Sequence, residues 1–326
     1  MTGAPVPTPP SRVVSLLPAA TEIVAALGAS ARLLGVSHEC DHPPGVASRV
    51  RVTRSAVGAG QGETAGEPLG DPAAVDAAVR ALAGAGTPLF TVDEAHVRAL
   101  RPELLLTQAL CDVCAVSEHD VRALAARLDP VPAVVTLGGT TVAGILADIA
   151  RVAEALGVPD EGRELVAGLE ARIRRVHELL KAAQAPRPRV ALVEWTAPVY
   201  VAGHWGPEQV KRAGGIDVLG TAGAHSVPVP LEALAAADPA IVLVAPCGYG
   251  LEAAVAEARR LLDAPGWAWL AGRAVWALDA NGLVSRPGPR VVDGIETMAR
   301  IFNPACFTPL DPAHARCITP ATSSRP

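Results

Sequence analysis

The alternation of short β-type runs with helical stretches constrains the fold of this chain more than any other feature. The β-type runs form two sets, at residues 12–17, 33–37, 104–107 and 133–137 and at residues 189–195, 241–245 and 274–278. Strands that alternate with helices build parallel sheets, because each crossover helix covers a face of the sheet. The pattern therefore predicts an α/β fold with two groups of strands.

A long helical region separates the two groups. Apolar residues recur at spacings of three and four over residues 142–156, "GVPD" interrupts the pattern, and a second apolar stripe covers residues 165–180. A helix over about residues 160–183 would be on the order of 35 Å long. A helix of that length could bridge two domains.

Composition limits the class of protein. Half of the 326 residues are apolar, which is enough for a core in each of two domains of about 150 residues. The net charge is −5 and the chain has only two lysines, so the basic surface of a nucleic-acid-binding protein is missing. We expect a soluble monomer that does not bind nucleic acid.

The N-terminal sequence indicates a location. No uncharged apolar window reaches the roughly 18 residues of a membrane span, and "MTGAPVPTPPSRVV" lacks the basic and apolar regions of a signal peptide. These observations predict a cytoplasmic protein. A start codon further upstream would instead allow a periplasmic or envelope-anchored one.

Changes in composition predict the domain boundaries. Residues 55–88 are rich in Gly, Ala and Pro and form an insertion with a helix near residues 73–83, and the tail is rich in proline. The predicted parts are a disordered N-terminus (1–11), an N-terminal lobe (12–140), a linking helical region (141–186), a C-terminal lobe (187–303) and a tail (304–326).

The loops that follow the strands carry the candidate ligand-binding residues. In parallel sheets ligands bind beyond the carboxyl ends of the strands, and here these loops are rich in Trp, Tyr, His and Cys. The predicted ligand-binding residues are Pro18, Glu22, Trp195, His204, Trp205, Cys247, Tyr249 and Arg286. Core packing is the alternative for His204 and Trp205, and support of a helix start, where acids favour the dipole, is the alternative for Glu22.

The pair Cys111 and Cys114 in "TQALCDVCAV" raises a separate hypothesis. Six cysteines are too few for a disulfide scaffold in a chain of this length. The loop that carries His38 and Cys40 leaves the same predicted sheet in the same direction, so His38, Cys40, Cys111 and Cys114 could bind one metal ion, and zinc prefers such sulfur and nitrogen ligands. A thiol redox pair and small buried thiols are the alternatives.

Other candidates carry less. His42 precedes two prolines and fits a solvated turn, and Cys306 and Cys317 have no assigned role. The sequence has no G-x-S-x-G elbow, no Walker A motif and no H-E-x-x-H, so no enzymatic activity is predicted.

Four stretches resemble class III periplasmic substrate-binding proteins, in particular the cobalamin-binding members that serve the cobalamin ABC importer. They are "RVVSLLPAATEIVAALGASARLLGVSHECDHPP", "AGHWGPEQVKRAGGIDVL", "VPLEALAAADPAIVLV" and "SRPGPRVVDGIETMARIF". The resemblance implies an α/β fold of two parallel-sheet lobes, joined by a long rigid helix, with a corrinoid or a similar metal-centred macrocycle in the cleft between them. "HECDHPP" and "CDVCAV" mark a soluble subgroup.

The resemblance also implies a partner. Importer-coupled members dock onto the ABC transporter permease through one Glu on each lobe. Glu232 matches the second-lobe position, and Glu94, displaced by about one residue, is the nearest candidate in the first lobe. The predicted function is therefore cobalamin or corrinoid binding. The alternative is a cytoplasmic metal-binding or thiol-redox protein, which could be an enzyme, using the Cys and His residues on the same scaffold.

Overall fold

The computed structural model describes residues 8–57, 70–109 and 116–319. These residues form two compact units. Unit 1 comprises Met1–Glu63, Leu82–Gly139 and Gly144–Gly168, and unit 2 comprises Thr64–Ala81, Thr140–Ala143 and Leu169–Pro326.

The described residues before position 183 form seven strands and six α-helices. The strands are β1 (Val13–Ser15), β2 (Leu33–Val36), β3 (Val50–Arg51), β4 (Thr53–Ser55), β5 (Phe90–Val92), β6 (Leu104–Gln108) and β7 (Ala133–Leu137). The helices are α1 (Pro18–Ala26), α2 (Pro72–Gly84), α3 (Glu94–Leu100), α4 (Glu118–Ala125), α5 (Val142–Leu156) and α6 (Pro159–Ala182).

Unit 1 is built on a parallel sheet of five strands in the order β3-β2-β1-β6-β7. Its central strands β1 and β6 are buried on both faces, which explains why their sequences are continuous apolar runs. The Asp93 carboxylate accepts the His96 backbone N–H at the start of α3, and the Ser117 hydroxyl accepts the Asp120 N–H at the start of α4. Strands β4 and β5 pair with each other antiparallel.

Seven strands and five helices follow residue 188. The strands are β8 (Arg189–Thr196), β9 (Val199–Val201), β10 (Ile216–Asp217), β11 (Val227–Pro228), β12 (Ile241–Val244), β13 (Ala274–Leu278) and β14 (Ala315–Thr319). The helices are α7 (Gly206–Arg212), α8 (Leu231–Ala236), α9 (Leu251–Asp263), α10 (Ala280–Leu283) and α11 (Val291–Phe302).

Unit 2 contains a seven-stranded sheet in the order β11-β9-β8-β12-β13-β14, with β10 beside β8. Strands β8, β10, β12 and β13 are parallel, whereas β9, β11 and β14 run antiparallel to their neighbours. The predicted α/β fold of two lobes is thus confirmed, and the second sheet is mixed because hairpin and tail strands extend its parallel centre.

The segments predicted to be helical are helical. The two apolar stripes correspond to α5 and α6, and the helix expected in the insertion is α2. Within the described residues, no helix is both long enough and apolar enough to cross a membrane.

Candidate functional site

A shallow pocket lies in unit 1 at the carboxyl end of its parallel sheet. It is lined by Leu16, Ser37, His38, Glu39, Thr53, Phe90 and Val116. Leu16 follows β1, residues 37–39 follow β2, and Val116 lies between β6 and α4. The surface therefore combines an imidazole, a carboxylate and two hydroxyls with three apolar side chains.

Thr53 orients the imidazole of His38. The Thr53 Oγ1 atom lies 2.7 Å from His38 Nδ1 and 3.0 Å from the His38 backbone nitrogen, and the Thr53 hydroxyl donates to Ser37 Oγ at 3.1 Å. Because the only proton of that hydroxyl goes to Ser37, Thr53 accepts a hydrogen bond from His38 Nδ1–H. In the neutral ring the lone pair is then on Nε2, the atom through which histidine binds metals in this tautomer.

Hydrogen bonds from Arg51 and the burial of Cys40 fix the loop around His38. The Arg51 guanidinium donates to the carbonyl oxygens of Ser37 at 2.8 Å and Cys40 at 2.7 Å. The Cys40 side chain is fully buried, and its Sγ lies 3.1 Å from Thr21 Oγ1. Cys40 is therefore a core residue behind the loop and does not line the pocket.

The predicted metal site lies partly outside the described residues, because Cys111 and Cys114 belong to the segment 110–115. Within the described part of the chain, no three His, Cys, Asp or Glu side chains are arranged to hold a metal ion. The four-residue metal site thus stays a prediction.

Pro18 and Glu22 both belong to α1. Pro18 is the first residue of the helix and is half-buried, and Glu22 lies in the second turn with 4% of its surface exposed. The alternative in which Glu22 supports the helix start is wrong, because the first turn of α1 contains no acidic residue and its N-cap makes no side-chain hydrogen bond. Pro18 starts the helix instead, with its preset φ angle.

In unit 2, Trp195 and Tyr249 form an aromatic pair at the ends of β8 and of the loop after β12. Their ring centroids are 5.8 Å apart in an edge-to-face arrangement. Trp195 Nε1 donates to the Ala197 carbonyl at 3.1 Å, and the Tyr249 hydroxyl donates to the Gly70 carbonyl at 3.0 Å. Burial and the nearby Glu257 carboxylate raise the pKa of Tyr249 to about 12, so its hydroxyl remains a donor at neutral pH.

A buried acid supports this pair. Glu257 is 5% exposed and accepts two hydrogen bonds of 2.7 Å from the Arg260 guanidinium and one from the Thr196 hydroxyl. Glu257, Arg260 and Thr196 were not among the residues predicted from the sequence. The "EARR" of α9 was the only signal, and it also fits an ordinary exposed helix face.

His204 lies in a loop with an unusual backbone. Its φ is +48°, its N–H donates to the Ala224 carbonyl at 2.5 Å, and its carbonyl accepts the Gly223 N–H at 2.7 Å. A Cβ atom on the preceding Gly203 would lie 2.4 Å from the Ser226 nitrogen, so only glycine allows the two loops to approach this closely. The result is a strained position that the neighbouring loop stabilises.

The side chains in these two loops are arranged in a cluster. The imidazoles of His204 and His225 have centroids 5.1 Å apart, and His204 Nε2 is buried without a hydrogen-bond partner. Burial, and then the charge of His225, lower the pKa of His204. Glu194 accepts a hydrogen bond of 2.6 Å from Ser226, and burial raises the pKa of Glu194.

Three predicted ligand-binding residues remain, and the structure places each of them in a different part of unit 2. Trp205 is 7% exposed and its Nε1 donates to the Val284 carbonyl at 2.6 Å, a contact that fits the alternative of core packing. Cys247 is half-buried and its N–H donates to the Glu194 carbonyl at 2.9 Å. Arg286 is 7% exposed in the loop before α11.

The two predicted docking residues lie on helix starts. Glu94 begins α3, is exposed, and pairs with Arg127 at 2.7 Å. Glu232 is exposed in the first turn of α8. Of the predicted ligand-binding residues, the structure places Trp195 beside Tyr249 and His204 beside Trp205. The ring centroids are 5.8 Å apart in each of these two pairs.

Comparison with known proteins identifies the fold family. The sequence model of the family described as periplasmic binding protein matches residues 91–272, which is more than half of the chain. No curated protein matches in a sequence search. Several solved structures match over nearly their full length.

Three of them illustrate the likeness. The periplasmic haem-binding protein of Pseudomonas aeruginosa is 25% identical, with a TM-score of 0.69 over 96% of this chain and 100% of its own. The periplasmic haem-binding protein RhuT of Roseiflexus sp. RS-1 is 23% identical, with a TM-score of 0.64 over 91% and 99%. The periplasmic vitamin B12-binding protein BtuF of Vibrio cholerae is 19% identical, with a TM-score of 0.61 over 90% and 97%.

These matches correct the predicted location. A cytoplasmic protein was expected from the polar, proline-bearing N-terminus, and that prediction is wrong, because the matched family and these solved structures are periplasmic binding proteins. The two-unit α/β architecture, the loops at the sheet ends and the family match agree. The chain belongs to the periplasmic binding protein family.

Proposed function

We propose that this protein binds a metal-centred macrocycle, a corrinoid or a haem, as the substrate-binding component of an ABC importer. The observation that carries the proposal is the imidazole of His38, bonded to Thr53 and lying beside the Phe90 ring at the carboxyl end of the sheet of unit 1. A bare ion needs several protein ligands, whereas a metal inside a macrocycle needs only one or two axial ones. A macrocycle brings the other ligands itself.

His38 is the proposed axial ligand in unit 1. The hydrogen bond from Nδ1 to Thr53 fixes the tautomer whose Nε2 can donate a lone pair to cobalt or iron. Phe90, with its ring centroid 5.6 Å from that of His38, offers an apolar surface beside the imidazole. The flat ring of a macrocycle suits such a mixed apolar and polar surface.

The remaining proposed contacts belong to α1 in unit 1, and to the end of β8 and nearby loops in unit 2. They are Pro18, Glu22, Trp195, His204, Trp205, Cys247, Tyr249 and Arg286. Aromatic rings would remove apolar area of the ligand from water, and Arg286 would meet its polar periphery.

The proposed role needs a transporter partner and no catalysis. Glu94 and Glu232 are exposed and available to arginines of an ABC transporter permease. The solved haem- and vitamin B12-binding proteins support both ligand classes equally, since 25% identity or less does not separate them. The substrate is therefore proposed as a class.

Titration tests the proposal. Purified protein is dialysed against cyanocobalamin, cobinamide and haemin, and retained ligand is measured by absorbance and by calorimetry. We expect micromolar or tighter binding of at least one of them, with a shifted visible spectrum that is lost in H38A and weakened in T53V. Retention of none of the three ligands would refute the proposed function.

A matched control separates coordination from general damage. His42 is exposed on the same loop as His38, and H42A should leave affinity and spectrum unchanged. T53V removes the hydrogen bond between Thr53 and His38 Nδ1, and this loss should weaken ligand binding by about 10-fold or more. An H38A protein with the wild-type spectrum would remove the axial role while leaving the class of ligand intact.

A further inference from the structure

The insertion between β4 and β5 is shared between the two units. Strands β4 and β5 belong to unit 1 and pair Ser55 with Phe90, whereas Thr64–Ala81 belongs to unit 2. The described part of the insertion that belongs to unit 2 begins at Gly70 and includes most of α2.

The start of this part lies directly on Tyr249. The Tyr249 hydroxyl donates to the Gly70 carbonyl at 3.0 Å, and Tyr249 has only 2% of its surface exposed. Asp71 is close enough to contribute to the raised pKa of Arg260, whose main cause is the hydrogen bond to Glu257. The start of the segment Gly70–Val75 therefore lies against the Tyr249 hydroxyl and near the guanidinium of Arg260.

Helix α2, to which most of the segment Gly70–Val75 belongs, has few buried side chains. Only Pro72 and Val75 are buried among the 13 residues of α2. Helices with few buried apolar contacts open locally at low free-energy cost. The hydrogen bond between Tyr249 and Gly70 is a single neutral one, whose net contribution is modest, so the attachment can be exchanged for ligand contacts.

The covered groups are well suited to a flat ligand. Trp195 and Tyr249 meet edge to face, and the loops that carry them follow parallel strands at their carboxyl ends. The Tyr249 hydroxyl, now bound to a backbone carbonyl, is a donor that a polar group of a macrocycle could accept instead. The backbone of Gly70 thus occupies the position of a ligand acceptor.

We propose that Gly70–Val75 is an internal cover of the Trp195–Tyr249 pair, and that a macrocyclic ligand displaces this cover when it binds. The inference rests on the proposed function, because it requires that the aromatic pair contacts the ligand. With the cover present, the apparent Kd equals the intrinsic Kd divided by the fraction of molecules in which the cover is open. It excludes ligands whose contacts cannot replace those of Gly70 and Val75.

Hydrogen exchange of the wild-type protein is the first test. Amides of residues 72–84 are followed by mass spectrometry with and without saturating cyanocobalamin or haemin, whichever the dialysis retains. We expect faster exchange in α2 when the ligand is bound, while amides of β8 and β12 do not accelerate. Unchanged or slower exchange in α2 would overturn the proposal and would make the segment a fixed part of the site.

A pair of variants of α2 gives the second test. V75S removes a buried apolar contact of the cover, and A77S places the same residue on the exposed face of the same helix. V75S should bind the retained ligand about 3- to 10-fold more tightly because the open fraction rises, and A77S should bind as the wild type does. Equal or weaker binding by V75S would contradict the cover.

The two proposals fail in different ways. If neither wild type nor V75S binds cyanocobalamin, cobinamide or haemin, the proposed function is wrong. If the wild type binds and either α2 measurement gives the contradicting result, only the cover is wrong.

Discussion

Cys40 marks the limit of what a cysteine pattern reveals at the scale of single residues. Its thiol is fully buried against the Thr21 hydroxyl at 3.1 Å, and it does not line the pocket that His38 lines. Sequence spacing placed Cys40 and His38 in one loop, but two residues of separation turn one side chain outward and the other inward. A shared metal would require Cys111 and Cys114 to supply the other ligands.

Replacement of Cys111 and Cys114 by Ser tests this shared site. We expect the double variant to lose bound zinc, because thiolates are the strongest zinc ligands of the predicted set. Zinc binding by the wild type should weaken as pH falls, because the thiolates become protonated. Elemental analysis measures the content. C306S and C317S together serve as the control, and equal zinc in all three proteins would show that the CxxC pair binds none.

The residues that orient His38 could not be found from the sequence. Thr53 lies 15 positions away and reaches the imidazole only because β2 and β4 bring the two segments together. Glu257 and Thr196 are likewise adjacent only in space. Sequence reasoning identifies the chemically active residue by its type, whereas its orienting partner is an ordinary hydroxyl whose role depends on the tertiary fold.

Among the secondary-structure elements, the loop of His204 has a measurable consequence for stability. Burial lowers the pKa of this imidazole below that of an unfolded chain. As pH falls, the unfolded state therefore binds more protons than the folded state. The contribution of neutral His204 to the free energy of unfolding is present above the unfolded pKa and is lost on acidification between about pH 7 and pH 5. His225 and Glu194 are the titratable groups that face the loop.

H204N tests this dependence, since Asn tolerates the positive φ and does not titrate. We expect thermal unfolding of the variant to lose less stability than the wild type between about pH 7 and pH 5. H42N, at an exposed histidine, provides the control. Parallel pH profiles of wild type and H204N would show that His204 does not contribute.

The elements that the sequence predicted are those with a sustained pattern. All seven expected strands exist, because short, mostly apolar runs that alternate with helical stretches are typical of strands in a parallel sheet. Strands β3, β10 and β11 have two residues each, which is too short for any periodicity. Strand β14 was missed because proline surrounds it, and only its antiparallel pairing with β13 orders it.

For the whole molecule, family membership makes a prediction about location that corrects the reading of the N-terminus. We expect fractionation of the native host to recover the protein outside the cytoplasmic membrane, with the other periplasmic binding proteins. Immunoblots of each fraction, with a cytosolic enzyme as control, measure this. Exclusive recovery with the cytosolic marker would contradict the expectation.

The pairing of β4 with β5 has a consequence for how such a chain can change over evolution. Ser55 and Phe90 lie opposite each other in this hairpin, so the two ends of the insertion lie side by side within unit 1. Lengthening, shortening or exchanging the segment between them leaves the parallel sheet of unit 1 in register. The hairpin is therefore a natural junction for recombination, at which related chains could acquire different ligand preferences without rebuilding either core.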